Sequence, residues 1–287
     1  MPKPSRLILA KDDILSQFST ALQKVYSKAQ LADVLLQNRY SWHLPAHTNA
    51  LDFIAFLTKH GDLRARKLRS KIYGKEITRY SWGEASPYDL ALSINPRAYL
   101  CHATAVTLHG LAKPTQKKIF LNIEQSTKPP GSGSLSQDGI NRAFTGKQRQ
   151  SNLIYNCNGV AINMISGKNT NRLGVEHILG PSSEPLQVTN IERTLIDIVV
   201  RPAYAGGISH VLKAYRAAKD RMSVDQLVAI LKKLDYVYPY HQPICVSLSS
   251  AHRILDADGS LPRRKLHQAQ RARPEPRLLF SSRTAAT

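Results

Sequence analysis

The spacing of hydrophobic residues changes several times along this chain, and each change predicts an element. Ile14, Leu15, Phe18 and Leu22 recur at helical intervals behind Asp12 and Asp13, either of which suits a helix cap. Ser27 stands before a second short helix, with Leu31, Val34 and Leu35 on its apolar side. Pro45 ends the connecting loop. Thr48 is expected to cap a third helix that reaches Thr58 or Lys59 and carries Leu51, Ile54, Ala55 and Thr58 on one face. Gly61 falls where a C-terminal cap belongs. The period then shortens. Leu63 to Arg69 and Glu76 to Trp82 read as strands, joined through a tight turn from Lys71 to Lys75 that contains Gly74. Three short helices and a hairpin predict an N-terminal winged helix-turn-helix over residues 1–90.

Residues 85–97, with Pro87 and Pro96, read as the junction to a second domain over residues 91–245. There the pattern predicts a helix from Tyr99 to His109 with Gly110 behind it, then a strand from Lys118 to Glu124. A loop rich in Ser, Pro and Gly follows, and then a short helix from Gln137 to Phe144. Strands are expected over Asn152–Tyr155, Gly159–Ile165, Leu173–Leu179 and Leu186–Val188. Asn190 caps a helix from Ile191 to Val200 that is apolar almost all round and therefore buried. Two amphipathic helices close the segment. One begins near Gly207 with Ile208, Val211, Leu212 and Tyr215; the other follows Ser223 with Val224, Leu227, Val228 and Leu231. The fold class expected is α+β, a winged helix-turn-helix followed by a larger mixed domain.

Charge changes the picture. The 287 residues carry 40 Lys and Arg against 20 Asp and Glu, a formal charge of +20. Such an excess favours a polyanionic partner, most simply nucleic acid. It concentrates in the hairpin, where Arg64, Arg66, Lys67, Arg69, Lys71, Lys75 and Arg79 face only Glu76. These cations are expected to hold phosphates, while His47, Thr48 and Asn49 sit at the groove end of the third helix. The partner implied is double-stranded DNA. A solvated basic hairpin on a small helical domain is the plainer alternative.

Positive signs of catalysis are few. The three cysteines are scattered, so neither a zinc ribbon nor a disulfide framework is expected, and they fit a reducing cytoplasm. His102 and His109 lie two helical turns apart with no carboxylate placed to complete a metal triad; ordinary packing is the expected role. Glu192 and Asp197 are five apart and point to different faces, so ion pairing or capping is expected, with Arg193 and Arg201 as candidate partners. GxSxG, P-loop and GxGxxG signatures are missing from the sequence. No enzyme, metal or cofactor is expected. No run approaches a membrane span, so no membrane partner is expected either.

Three segments carry a family resemblance. Leu100 to Leu111 ends in Leu-His-Gly-Leu with His109 and Gly110. Val188 to Ile198 contains Glu192-Arg193-Thr194-Leu-Ile-Asp197. Arg201 to Ile208 contains Tyr204-Ala-Gly206-Gly207. Together, over roughly residues 10–245, they resemble the AbiEi family of antitoxins. The resemblance implies a winged helix that represses its own operon at inverted repeats, and a C-terminal domain with antitoxin activity. It also implies a co-encoded nucleotidyltransferase-like toxin, generally held in no stable complex, and a role in abortive infection by phage. A stand-alone transcription factor and a metal-dependent nucleic-acid enzyme with a targeting domain are the competing readings.

The last segment departs from the family. Where a Tyr-His-Gln run like that at Tyr240 normally leads into an aromatic-rich helix, this chain turns polar. Seven of the eight basic residues after 245 are Arg, against 18 Lys and 14 Arg before. Residues 246–287 are therefore expected to be a disordered tail, and the switch is read as a shift of reading frame near residue 243, with a genuine unstructured basic tail as the alternative.

Overall fold

The computed structural model describes residues 5–70, 72–114, 117–127, 136–146 and 148–252. The N-terminal elements are α1 (Arg6–Leu9), α2 (Lys11–Thr20), β1 (Val25–Tyr26), α3 (Lys28–Asn38), α4 (Ala50–His60), β2 (Leu63–Ser70) and β3 (Glu76–Trp82). Ser27 caps α3 as expected and forms a full capping box. Its Oγ accepts from Gln30 N at 3.1 Å, and its own N–H donates to Gln30 Oε1 at 2.8 Å. In α2, Asp12 and Asp13 occupy the first turn rather than the cap position, and Leu22 lies beyond the helix, 81 % exposed.

Helix α4 differs from its expected phase. Asn49, not Thr48, is the cap, accepting from the backbone of Leu51 and Asp52. The buried residues are Phe53, Ile54, Phe56 and Leu57, whereas Leu51, Ala55 and Thr58 face solvent. Two apolar stripes compete on this helix. The one with two phenylalanines removes more area from water and therefore wins. Gly61 closes α4 in extended backbone. Its requirement for glycine is steric, since a Cβ there would meet the Trp82 ring at 2.5 Å.

The hairpin of β2 and β3 serves two cores from opposite faces. Leu63 pairs with Trp82, and both pack with Ile14, Phe18, Phe53 and Leu57 of the N-terminal core. Leu68 pairs with Ile77, one step out of phase, and both join a second core with Leu90, Leu121 and Ile162. Because strand side chains alternate, one hairpin can plug both cores.

The remaining elements are α5 (Pro87–Leu92), β4 (Tyr99–Leu100), α6 (His102–Leu108), β5 (Lys118–Glu124), α7 (Gln137–Thr145), β6 (Ile154–Cys157), β7 (Val160–Gly167), β8 (Val175–Leu179) and β9 (Pro185–Thr189). Then come α8 (Ile191–Val200), a 3-10 turn (Pro202–Tyr204), α9 (Ile208–Ala218), α10 (Val224–Leu234) and α11 (His241–His252). The fold is mixed α+β. All described strands join one sheet in the order β1-β3-β2-β6-β7-β5-β4-β9-β8, with β5–β7 and β4–β9 parallel and the other pairs antiparallel. Helices α8 to α11 form a third core around Leu195, Tyr215, Leu227 and Ile244.

Three expectations need correction. The 85–97 segment is not an open junction. It holds α5, capped by Ser86 with Pro87 in the first turn, and buries Leu90 and Ala91. Proline suits that position because the missing N–H has no partner in a first turn anyway. The sheet also runs on across this point, since Arg69 and Ser70 of β2 pair with Asn156 and Tyr155 of β6. The helix expected from Tyr99 starts at His102, because Leu100 is drawn into a strand beside both Leu121 and Val188. Finally, residues 246–252 continue α11, where Ile244, Leu248 and Ala251 are buried. Their i, i+4, i+7 spacing straddles the boundary placed at 245, which hid it. The rest of the expected tail, 253–287, lies outside the described residues. No described helix is long and apolar enough to cross a membrane.

Candidate nucleic-acid interface and the buried polar network

The hairpin cations fall on two faces. Lys67 and Arg69 share the face that Leu63 begins, and both pair with Glu76, at 3.0 Å and 2.8 Å. Hydrogen bonds and charge from these two partners hold the Glu76 carboxyl below its ordinary value. Lys75 is exposed at the turn, beside Gly74 with its φ of 60°. Arg64 and Arg66 lie on the opposite face. Arg64 pairs with Asp62 at 2.9 Å and with Glu84, while Arg66 donates to Ser81 Oγ at 3.0 Å and reaches Glu84 at 3.4 Å. Lys71 lies outside the described residues.

Three expected contacts have other work. Arg79 is half-buried: its guanidinium donates to the carbonyls of Ser93 at 2.8 Å and Ile94 at 3.3 Å, behind the end of α5. Burial lowers its pKa. Thr48 is buried, and its carbonyl receives Arg39 at 2.8 Å. Asn49 is exposed but spends its Oδ1 on the cap and its Nδ2 on Asp52, at 2.8 Å. His47 is exposed. The outward surface beside the hairpin is thus Leu51, Ala55, Thr58 and Lys59 of α4, a set that the wrong helical phase concealed.

The motif residues of the second half build a buried network rather than an open site. On α8, Arg193 Nε donates to Asp197 Oδ1 at 2.8 Å, with side chains only 5 % and 8 % exposed. Burial works against the Arg193 charge, but Asp197 outweighs it and raises the pKa. The same guanidinium donates to the Leu173 carbonyl at 2.8 Å and to Thr170 Oγ1 at 3.3 Å. Thr170 bonds Glu124 through side chain and backbone, and Tyr99 Oη donates to Glu124 at 3.1 Å. Burial tends to raise the Glu124 carboxyl, yet these hydrogen bonds hold it below its ordinary value. Asn122 Nδ2 closes the chain on Tyr99 Oη at 2.6 Å.

The other motif positions are also structural. Glu192 accepts from Ser223 N at 2.8 Å and so ties α8 to the start of α10. Thr194 bonds Thr189 Oγ1 at 2.7 Å. His109 Nε2 contacts the Thr189 carbonyl at 2.6 Å, and Gly110 turns the chain at a φ of 67°. Tyr204 Oη accepts from Ser151 N at 2.7 Å. Gly206 and Gly207 have φ of 89° and 97°, open to glycine and strained for other residues. His102 and His109 are not brought together: His102 packs edge-on against Tyr204, with 5.3 Å between ring centroids. Asn122 and Glu124 escaped notice in the sequence. Their signal was one polar residue, Asn122, interrupting the apolar run from Ile119 to Ile123, and a second, Glu124, ending it.

A separate groove of about 740 Å³ is lined in part by Lys113, Lys117, Lys118, Asn158 and His210. Among the described residues, no group of three or more His, Cys, Asp or Glu side chains is placed to hold a metal ion.

No protein-family model matches the chain and no curated protein matches it. Among solved structures, the chain is similar to the Rv2827c protein of Mycobacterium tuberculosis, with a TM-score of 0.47 and 17 % identity, covering 85 % of this chain and 78 % of that one.

Proposed function

We propose that the chain is a sequence-specific, double-stranded-DNA-binding regulator whose N-terminal unit is a winged helix-turn-helix. The observation that carries this reading is the arrangement of α2, β1, α3, α4, β2 and β3, with strands in the order β1-β3-β2. It leaves one face of α4 uncovered beside a hairpin that carries Lys67, Arg69 and Lys75 in the open. In such a unit the last helix enters the major groove and the hairpin meets the backbone. The exposed pairs with Glu76 are worth about 0–1 kcal/mol each, so phosphate oxygens displace them at little cost.

The resemblance to AbiEi antitoxins extends the proposal to the second half: an antitoxin that opposes a co-encoded nucleotidyltransferase-like toxin in the cytoplasm. The Glu192 to Asp197 and Tyr204 to Gly207 motifs support that reading as the framework of its core, through the contacts of Arg193, Asp197 and Tyr204.

The test is a gel-shift titration of the full chain against its own upstream DNA and a scrambled duplex, at two salt concentrations. Preferential, salt-sensitive binding to the upstream DNA is expected. With about 6–10 phosphates contacted, affinity falls ~10³–10⁵-fold between 50 and 200 mM salt. Equal binding to both duplexes would overturn sequence-specific regulation. For the antitoxin half, co-expression with the neighbouring nucleotidyltransferase-like protein is expected to restore growth; continued arrest would refute it.

A further inference from the structure

The network around α8 leaves one concavity that its own hydrogen bonds do not fill. A cavity of about 90 Å³ is lined by His102, Asn122, Lys168, Arg193, Arg201 and Tyr236, with Asp197 its single carboxylate. Three cations thus face one anion, and that anion is already committed to Arg193. Lys168 Nζ donates to the carbonyls of Leu234 at 2.8 Å and Asp235 at 2.6 Å and lies over the Tyr236 ring. These are dipoles, which orient the ammonium without neutralising it. Arg201 lies 5.9 Å from the centroid of the Tyr204 ring. Among the described residues, no carboxylate lies within ion-pair distance of Lys168 or Arg201.

His102 lines the same cavity and adds no charge to it. It is 6 % exposed, and its Nδ1 is buried with no hydrogen-bond partner among the described residues. Burial pushes the ring pKa down to about 4, which keeps His102 neutral at neutral pH, with one N–H available to donate. A water fits a cavity of this size but leaves the excess positive charge in place. An oxyanion offsets that charge, because its oxygens accept from a guanidinium fork.

We propose that this cavity binds a small oxyanion of the phosphate class beside the His102 ring, with Arg201 as its donor and Lys168 as the supporting charge. The source is either free inorganic phosphate or the terminal phosphate of a nucleotide strand. The site lies in the second half of the chain and does not depend on the DNA-binding reading.

The experiment titrates the full chain with inorganic phosphate by calorimetry, against chloride at matched ionic strength. It compares wild type, Arg201→Gln and Arg6→Gln, the last removing one exposed charge from the N-terminal helices. Saturable binding is expected in wild type and Arg6→Gln, weakened about tenfold or more in Arg201→Gln. Absent saturable binding, or equal affinity in the two variants, would overturn the site. Should Arg201→Gln not fold, the wild-type imidazole signal of His102 in NMR decides: it moves on saturation with phosphate, and a fixed signal refutes the proposal. A 5′-phosphorylated dinucleotide that binds tighter than both inorganic phosphate and its 5′-hydroxyl counterpart supports a strand end as ligand. No such gain supports the free anion.

Discussion

Arg66 on β2 stands directly opposite Arg79 on β3, and the two guanidinium groups are drawn to different acceptors. Arg66 turns to Ser81 and Glu84, and Arg79 to the carbonyls behind α5. Like charges placed opposite each other on a sheet destabilise it, so these separate acceptors are what make the pair tolerable. Arg79→Gln is therefore expected to cost about 1–3 kcal/mol by leaving the Ser93 and Ile94 carbonyls short of a donor. Urea unfolding measures it, and a variant as stable as wild type would show that Arg79 is no anchor.

The cations on the other face predict the opposite behaviour. Lys67→Gln and Arg69→Gln are expected to change stability by no more than about 0.5 kcal/mol, because both side chains are exposed. Each is expected to reduce the salt slope of the proposed DNA binding by about one. Affinity measured across a salt series checks this; slopes equal to wild type would remove the hairpin from the DNA contact.

The Arg193–Asp197 pair makes a third prediction. Asp197→Asn strands a buried guanidinium, and the expected loss is about 3–5 kcal/mol. Glu192→Gln keeps an acceptor for Ser223 N and is expected to lose only about 1 kcal/mol. Equilibrium denaturation of the two variants ranks them, and a reversed order would reject the network as drawn.

Asp89 makes the fold sensitive to pH. Burial first, and the charge of Glu184 second, raise its carboxyl from 3.8 to about 6. A raised folded value means that the protonated form is favoured by folding. The contribution is fully present below about pH 4 and is lost as pH rises through about 6. Asp89→Asn is thus expected to raise the melting temperature at pH 7.5, by roughly 1 kcal/mol of stability once exposure is discounted, and to match wild type near pH 4. A difference independent of pH would contradict the assignment.

Much of the local structure was legible. The Ser27 cap, the strand from Glu76 to Trp82, the strand from Lys118 to Glu124 and the Asn190-capped α8 all stand where capping chemistry and period placed them. These rest on contacts within a few residues, which a sequence displays directly. The pairing of Arg193 with Asp197 was also within reach, being an i, i+4 relation on one helix. The candidate DNA surface was legible only in part. Charge marked the hairpin, but the outward face of α4 depended on which apolar stripe the core selected.

The α+β character, the basic hairpin and the caps at Ser27 and Asn190 came from the sequence, because propensity, period and charge are local properties. Tertiary structure alone decided three other things. It turned Leu63 and Leu68 into two separate cores, joined β2 to β6 so that the sheet crosses the expected boundary, and placed His102 beside Arg201, Lys168 and Asn122. Those relations bring together residues tens of positions apart, and they arise from sheet register and helix packing. No window of the chain contains both partners, so no local pattern could announce them.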